Sequence, residues 1–357
     1  MKMINRYILN EAKMPIFFGI SLFTFIFLIE IIVSMLESII VKGISIIDVS
    51  RMISFYLPMI LSQTIPMGIF LGVMVTFGNL TKYSEITAIN SIGISLKKLL
   101  KLMSLVGVIG TIFIFFLQES IIPRSYVKLQ QLSIKMVYNN PVFQLKDKVL
   151  IDEVDKYKIY IDEIDPKTKD AKNVLIFFKE NTKYPTLITG ARTYWENAAM
   201  ILEDSKFYRF KENGEEQLRG KFKEKKIPLT NYFRDVEIKM KDIEGMGVAT
   251  LYNEYKSSDK EDKLPYLVEI NRKIAVPISA IILSILGVLL SVGNKRSGKG
   301  TNYGVAIGII FIYIVFLNLG MVFAYRGIIS PFIGVWFSNI FLIILTYSLY
   351  RKKGKVI

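Results

Sequence analysis

Asp, Glu, Lys and Arg vanish from this chain in long blocks. Met52–Thr81, Leu102–Gln118, Ile274–Asn294, Asn302–Tyr325 and Gly327–Tyr350 each run 17 to 30 residues without one of them, and a sixth apolar run, from about Met14 to Leu36, is interrupted by Glu30 alone. A helix rises about 1.5 Å per residue, so roughly 20 apolar residues cross a hydrocarbon core about 30 Å thick. Six membrane spans are therefore expected. The last two are separated only by Arg326 and a Gly-Ile-Ile-Ser-Pro turn, which predicts a tight helical hairpin.

The spans form two triplets, and the polar block between them, Arg124 to Pro265, follows another period. After a polar helical extension over Arg124–Tyr138, five segments alternate apolar with polar residues or carry β-branched runs: Phe143–Ile151, Tyr157–Ile164, Val174–Lys179, Thr186–Trp195 and Met200–Phe210. Asp165-Pro166, Tyr184-Pro185 and Glu212-Asn213-Gly214 punctuate them as turns. Leu229–Ile238 is a further strand candidate, Ala249–Tyr255 reads as a short helix, and Ser257–Lys263 as a charged tether. Short strands at this spacing favour a sandwich or jelly roll over a parallel sheet. The expected fold class is an α-helical membrane protein with six transmembrane helices plus an inserted all-β, jelly-roll-like domain. Residues 1–123 carry three spans, 124–265 the insert and 266–357 the other three. A sheet with one apolar face either packs its own core or opens as a trough for lipid chains, and alternation alone leaves both readings open.

In the short loops, one side collects Lys2, Arg6, Lys13, Lys82, Lys97, Lys98, Lys101, Lys295, Arg296, Lys299, Arg351, Lys352, Lys353 and Lys355. The other side holds Lys42, Arg51 and Arg326. The basic side faces the cytoplasm, so both termini are expected there and the insert beyond the membrane. The N-terminus has the basic start and apolar run of a signal peptide. No small-x-small site follows, and a retained helix is expected.

Much of the net charge of +15 lies in these loops, so topology accounts for it and nucleic acid is not an expected partner. The chain has no cysteine and no histidine. The insert must hold together by its own core, without disulfides. Thiolate nucleophiles, Ser-His-Asp triads and nearly every zinc site are excluded, and no cofactor is expected in this chain. Gly293–Lys299 matches the first seven places of a phosphate-binding loop. Gly300 stands where a hydroxyl should hold magnesium, and the segment follows a span and not a strand. It reads as a basic flexible loop, and ATP hydrolysis by the chain itself is not expected.

The loop between spans two and three carries the most local information. Over residues 82–93, Ser84 is expected to cap a short helix, with Glu85 favourable in its positive first turn. Ile86, Ile89 and Ile92 recur at three-residue spacing, Gly93 ends the helix and Ser95 caps the next. Such a helix either takes force from a separate motor or simply lies on the membrane surface.

Several motifs, taken in order, resemble the lipopolysaccharide-export permeases of the LptF/LptG family. They are Pro66-Met67-Gly68-Ile69-Phe70-Leu71-Gly72, Gly78-Asn79-Leu80, Ser84-Glu85-Ile86-Thr87-Ala88 and Gly93-Ile94-Ser95. The second half adds Arg272-Lys273-Ile274-Ala275-Val276-Pro277, Leu290-Ser291-Val292 and the pair Trp336 and Asn339. The resemblance covers essentially the whole chain, and the Gly-Asn-Leu…Ser-Glu-Ile-Thr run is closer to LptF than to LptG. It implies a non-catalytic permease subunit of an ABC transporter in the bacterial inner membrane. The implied partners are a second LptF/LptG-type permease, two copies of a cytoplasmic LptB-type ATPase that uses ATP and magnesium, and periplasmic LptC/LptA-type jelly-roll proteins. The implied cargo is lipopolysaccharide, taken from the outer leaflet. The insert is then a periplasmic β-jelly roll, which favours the trough.

The resemblance also assigns residues. Glu85, with Ser84, Ile86, Ile89 and Gly93, is expected to form the ATPase-coupling site, Glu85 pairing with a basic residue of the motor. Family members often place cations on the first helix for lipid A phosphates. Here Glu30 and Glu37 stand there instead, with Lys42 the nearest cation. Arg124 and Lys128, just outside span three, are the expected substitutes beside Lys42, with membrane-surface anchoring as their alternative. Two other functions compete: an ion-driven secondary transporter using Glu30 and a span broken at Pro58 and Pro66, and a membrane scaffold whose outer domain binds protein.

Overall fold

A computed structural model of the chain describes residues 2–40, 45–139, 150–154, 157–165, 170–178, 184–196, 199–211, 213–228, 243–258, 263–292 and 299–353. The helices in chain order are α1 (Lys2–Ile40), α2 (Ile46–Lys82), α3 (Glu85–Ser91), α4 (Leu96–Phe116), α5 (Ile122–Asn139), α6 (Val248–Ser257), α7 (Lys263–Ser291), α8 (Lys299–Tyr325) and α9 (Pro331–Lys353). A π-helical turn, Leu117–Ile121, joins α4 to α5, and a 3-10 turn, Ile243–Gly245, precedes α6. Among the described residues six helical segments are long and apolar enough to cross a membrane: α1, α2, α4 with its extension, α7, α8 and α9. The chain forms two compact units. One comprises Met1–Glu30, Tyr56–Tyr126 and Ile243–Ile357, the other Ile31–Phe55 and Val127–Asp242.

In the helical unit α2 is central. Its most apolar window is 83% buried, against 17% for α1 and 22% for α8. Lipid tails are as apolar as leucine, so helices in a bilayer associate through close packing and hydrogen bonds. Both are present. A Cβ on Gly68 would lie 2.4 Å from the Ile20 backbone nitrogen, and one on Gly72 2.5 Å from that of Ile16, so α1 and α2 touch along a small-xxx-small seam. The Thr111 hydroxyl donates to the Pro277 carbonyl at 2.8 Å, and the Asn339 amide to the Ala275 carbonyl at 2.8 Å, which ties α4 and α9 to α7. Pro58 and Pro66 lie inside an unbroken α2, so the broken span that the secondary-transporter reading would use is absent there.

The other unit holds six strands: β1 (Leu150–Val154), β2 (Tyr157–Ile164), β3 (Ala171–Phe178), β4 (Thr186–Glu196), β5 (Ala199–Phe210) and β6 (Glu216–Pro228). They form one antiparallel sheet in chain order. The Greek-key crossings of a jelly roll are not among their connections. β2 has the range expected from alternation, and β4 and β5 differ from theirs by one residue at one end. Residues 143–149 and the candidate strand Leu229–Ile238 lie outside the described residues, as does Gly293–Gly298. β6 was not expected. Its Arg219, Lys221, Lys223, Lys225 and Lys226 hide the apolar signal, and lysines of this kind protect an outer strand from mispairing.

One line crosses the sheet from β2 to β6. The registers on either side set Asp162, Asn173, Ala191, Asp204 and Lys223 opposite one another. In β3 and β4 buried positions otherwise alternate, and β5 begins with four buried residues in a row, yet across this line all three step by three: Ala171 to Val174, Gly190 to Thr193, Leu202 to Ser205. Asn173 and Asp204 take left-handed φ values of 52° and 46°. In a flat sheet Gly190 and Leu202 would stand about 10 Å apart at roughly 3.3 Å per residue. A Cβ built on Gly190 instead lies 3.1 Å from the Leu202 Cβ. The sheet is therefore creased along this line, and its apolar face, with Ile159, Ile161, Val174, Ile176, Met200 and Leu202, is concave.

Candidate functional site

The loop helix sits where two chain reversals place it. Ser84 adopts φ 61°, and its N–H bonds to the Thr81 carbonyl at 3.1 Å, so it closes α2 in the left-handed conformation usual at helix ends. Its hydroxyl makes no capping hydrogen bond, contrary to the expectation for Ser84, because this backbone serves the end of the preceding helix. Gly93, at φ 83°, ends α3 as expected, with the Ile94 N–H reaching the Ile89 carbonyl at 3.3 Å. Ser95 is extended at the start of α4 and likewise offers no side-chain cap.

Ile86 and Ile89 are buried in the core formed with Ile8, Phe77, Leu80, Leu96, Leu99 and Val292. Ile92 departs from their face and is 65% exposed, beside Tyr83 at 62%. α3 is thus anchored by two buried isoleucines, with Thr87 and Ala88 exposed on it and Tyr83 and Ile92 exposed at its two flanks. Glu85 is partly exposed at its first turn and accepts a hydrogen bond from the Tyr7 hydroxyl at 2.7 Å. Sequence reasoning grouped Ile92 with Ile86 and Ile89, from whose face it departs, and it assigned no role to Tyr7 or Tyr83. The tyrosine and isoleucine could have been flagged as apolar residues in a basic loop, whereas nothing local marks Tyr7. At the same end, the Thr81 and Ser291 hydroxyls bond to the Ser291 and Met74 carbonyls, and Lys353 Nζ donates to the Leu289 and Val292 carbonyls, so α2, α7 and α9 are tied together beside α3.

At its other end α7 buries charge. Arg272 donates two hydrogen bonds of 2.7 Å to the Glu269 carboxylate, and Lys273 Nζ lies 3.6 Å from the same group while donating to the Glu244 carbonyl at 2.9 Å. Glu269 is 0% and Lys273 2% exposed. Trp336 Nε1 donates to the Asn271 carboxamide at 3.1 Å. Arg272 also faces a cavity of about 220 Å³, whose wall includes the polar groups of Gln63, Glu244, Tyr313 and Asn318 and the apolar Phe27 and Met67. Arg124 and Lys128 are exposed one turn apart on α5 and do not line this cavity; Glu30 is exposed on α1. Lys42 and the Glu37 side chain lie outside the described residues.

Nearby, Glu119 in the π-turn accepts the backbone N–H of Val248 at 2.8 Å and of Ala249 at 3.4 Å. It supplies the cap that Gly247 cannot, across 129 residues of sequence. Among the described residues no cluster of acids suits a metal ion.

Six candidate spans, an inserted β-sheet and a short helix anchored between spans two and three define a polytopic membrane protein. The profile of the lipopolysaccharide export system permease LptF/LptG matches residues 6–352, and the chain belongs to that family. A search of curated proteins returns no match. The family makes this chain a multi-pass transporter subunit of the lipopolysaccharide export system, and its profile covers LptF and LptG alike.

Proposed function

We propose that the chain is the LptF-type half of an ABC exporter. A separate LptB-type ATPase binds ATP and magnesium and pushes on α3. A paired permease completes the gate, and lipopolysaccharide leaves through the insert to LptC/LptA-type proteins. Both termini lie in the cytoplasm, and the soluble insert, about residues 124–265, lies in the periplasm. The observation that carries this reading is the two-sided character of α3. Ile86 and Ile89 bind it to the core shared by spans two, three and four, while Glu85, Tyr83 and Ile92 face outward. Ser84 and Gly93 fix its two ends.

A cation of the motor pairing with Glu85 would then move the spans with the helix. In purified complexes, Glu85→Arg is expected to weaken ATPase association or to uncouple hydrolysis from lipid extraction at least about tenfold, since like charges would replace an ion pair. Unchanged assembly with unchanged transport sinks the reading.

For the cargo, Arg124, Lys128 and Lys42 are candidate phosphate contacts, and Arg272 at its cavity is a further one. The creased sheet offers acyl chains a concave apolar face. Photocrosslinkers placed at Lys128 and at Asn318 separate the two phosphate routes: labelling by lipid at Asn318 alone removes Arg124 and Lys128 from the path.

A further inference from the structure

The cytoplasmic end of α1 is part of the core that holds α3. Ile8 and Ala12 are buried, and Ile4 and Leu9 pack against the cluster that contains Ile86 and Ile89. On the flank of that same helical stretch, Tyr7 directs its hydroxyl at Glu85 Oε2, 2.7 Å away and 78 residues distant in sequence. A phenol donating to an ionised carboxylate makes a short, charge-assisted bond. Among the described residues the second Glu85 oxygen has no partner, and the residue is partly exposed, so that oxygen remains open to a cation from outside. A glutamate at a helix start otherwise samples several rotamers, and each must be given up when a partner binds.

We propose that Tyr7 is a positioning residue for the motor contact: its hydroxyl holds the Glu85 carboxylate in one orientation and ties span one to α3. Movement of Glu85 under the motor is then passed to α1 as well as to spans two and three. This rests on the reading of Glu85 as the ATPase contact. Removing the hydroxyl while keeping the ring leaves the packing of Ile8 and Ala12 in place, so Tyr7→Phe isolates the hydrogen bond. Tyr7 acts through Glu85, so its effect must vanish once Glu85 cannot carry charge.

The test is a double-mutant cycle in the full transporter, permease pair and ATPase reconstituted with lipopolysaccharide in vesicles. The variants are Tyr7→Phe, Glu85→Gln and both together, and the readout is lipid extracted per ATP hydrolysed, with thermal unfolding measured alongside. Tyr7→Phe is expected to lower that ratio about three- to tenfold, the span of one ordinary net hydrogen bond at a partly exposed site, with the unfolding temperature little changed. The same change is expected to have no effect in the Glu85→Gln background. Wild-type coupling in Tyr7→Phe, or an equal loss in both backgrounds, overturns the role of Tyr7. A null result for Glu85→Gln alone instead overturns the motor contact itself, and the positioning role with it.

Discussion

The two ends of α7 hold the helical unit together in opposite ways. Beside α3 the polar groups are hydroxyls, a terminal lysine and a partly exposed carboxylate, held by hydrogen bonds to carbonyls and one phenol with no ion pair among the described residues. At the far end, Glu269, Arg272 and Lys273 lie within the fold, and almost every charge meets its partner there. The first kind of contact can be broken and remade at little cost, as the proposed docking of a motor at α3 would require. The second cannot, because a charge left alone in a dry interior loses its hydration and gains nothing in return. Ion pairing is concentrated at the Lys263 end of α7, and uncharged or single-charge hydrogen bonds at the end beside α3.

The comparison breaks most sharply at Glu269. Glu269→Ala leaves Arg272 and Lys273 buried without their anion and is expected to destabilise the protein by about 3–5 kcal/mol, read from unfolding in detergent. A loss below about 1 kcal/mol would rank the cluster with exposed pairs. Next comes Glu119→Ala, which removes the cap of α6. A loss of about 1–2 kcal/mol is expected, with amide exchange accelerated at Val248 and Ala249 and unchanged in α2. Slow exchange at both amides would show that Lys273 and the packing of Leu251 suffice. The smallest effect on stability belongs to Tyr7→Phe, at most about 1 kcal/mol for an exposed polar contact, even as coupling falls. A larger loss would make the α3 end as rigid as the other.

What could be read ahead of the fold follows the same division. The spans were legible because lipid imposes length and apolarity on each helix separately. α7 nevertheless starts at Lys263, eleven positions before the charge-free block at Ile274, because its charges find partners inside. A hydropathy pattern scores Glu269 as a cost and is blind to Arg272 one turn on. In the β unit, alternation located β2, β4 and β5. It could not show the crease, since a phase jump in one strand looks like irregularity until two neighbours make the same jump at the same height.

For the site, Glu85 and Gly93 were readable: an acid in a first turn and a glycine at a helix end are local choices. Tyr7 was not, because its only mark is a bond across 78 residues. The sequence by itself determined the six spans, the strand-rich insert, the loop helix and, through ordered motifs, the family. Only the tertiary structure decided which isoleucines anchor α3, which side chain holds Glu85, where buried charges cancel and how the sheet turns its apolar face inward. The physical reason is one of range. Membrane length, helix ends and strand alternation are satisfied by neighbours in sequence, while charge neutralisation, close glycine packing and a sheet-wide crease need partners that only folding brings together.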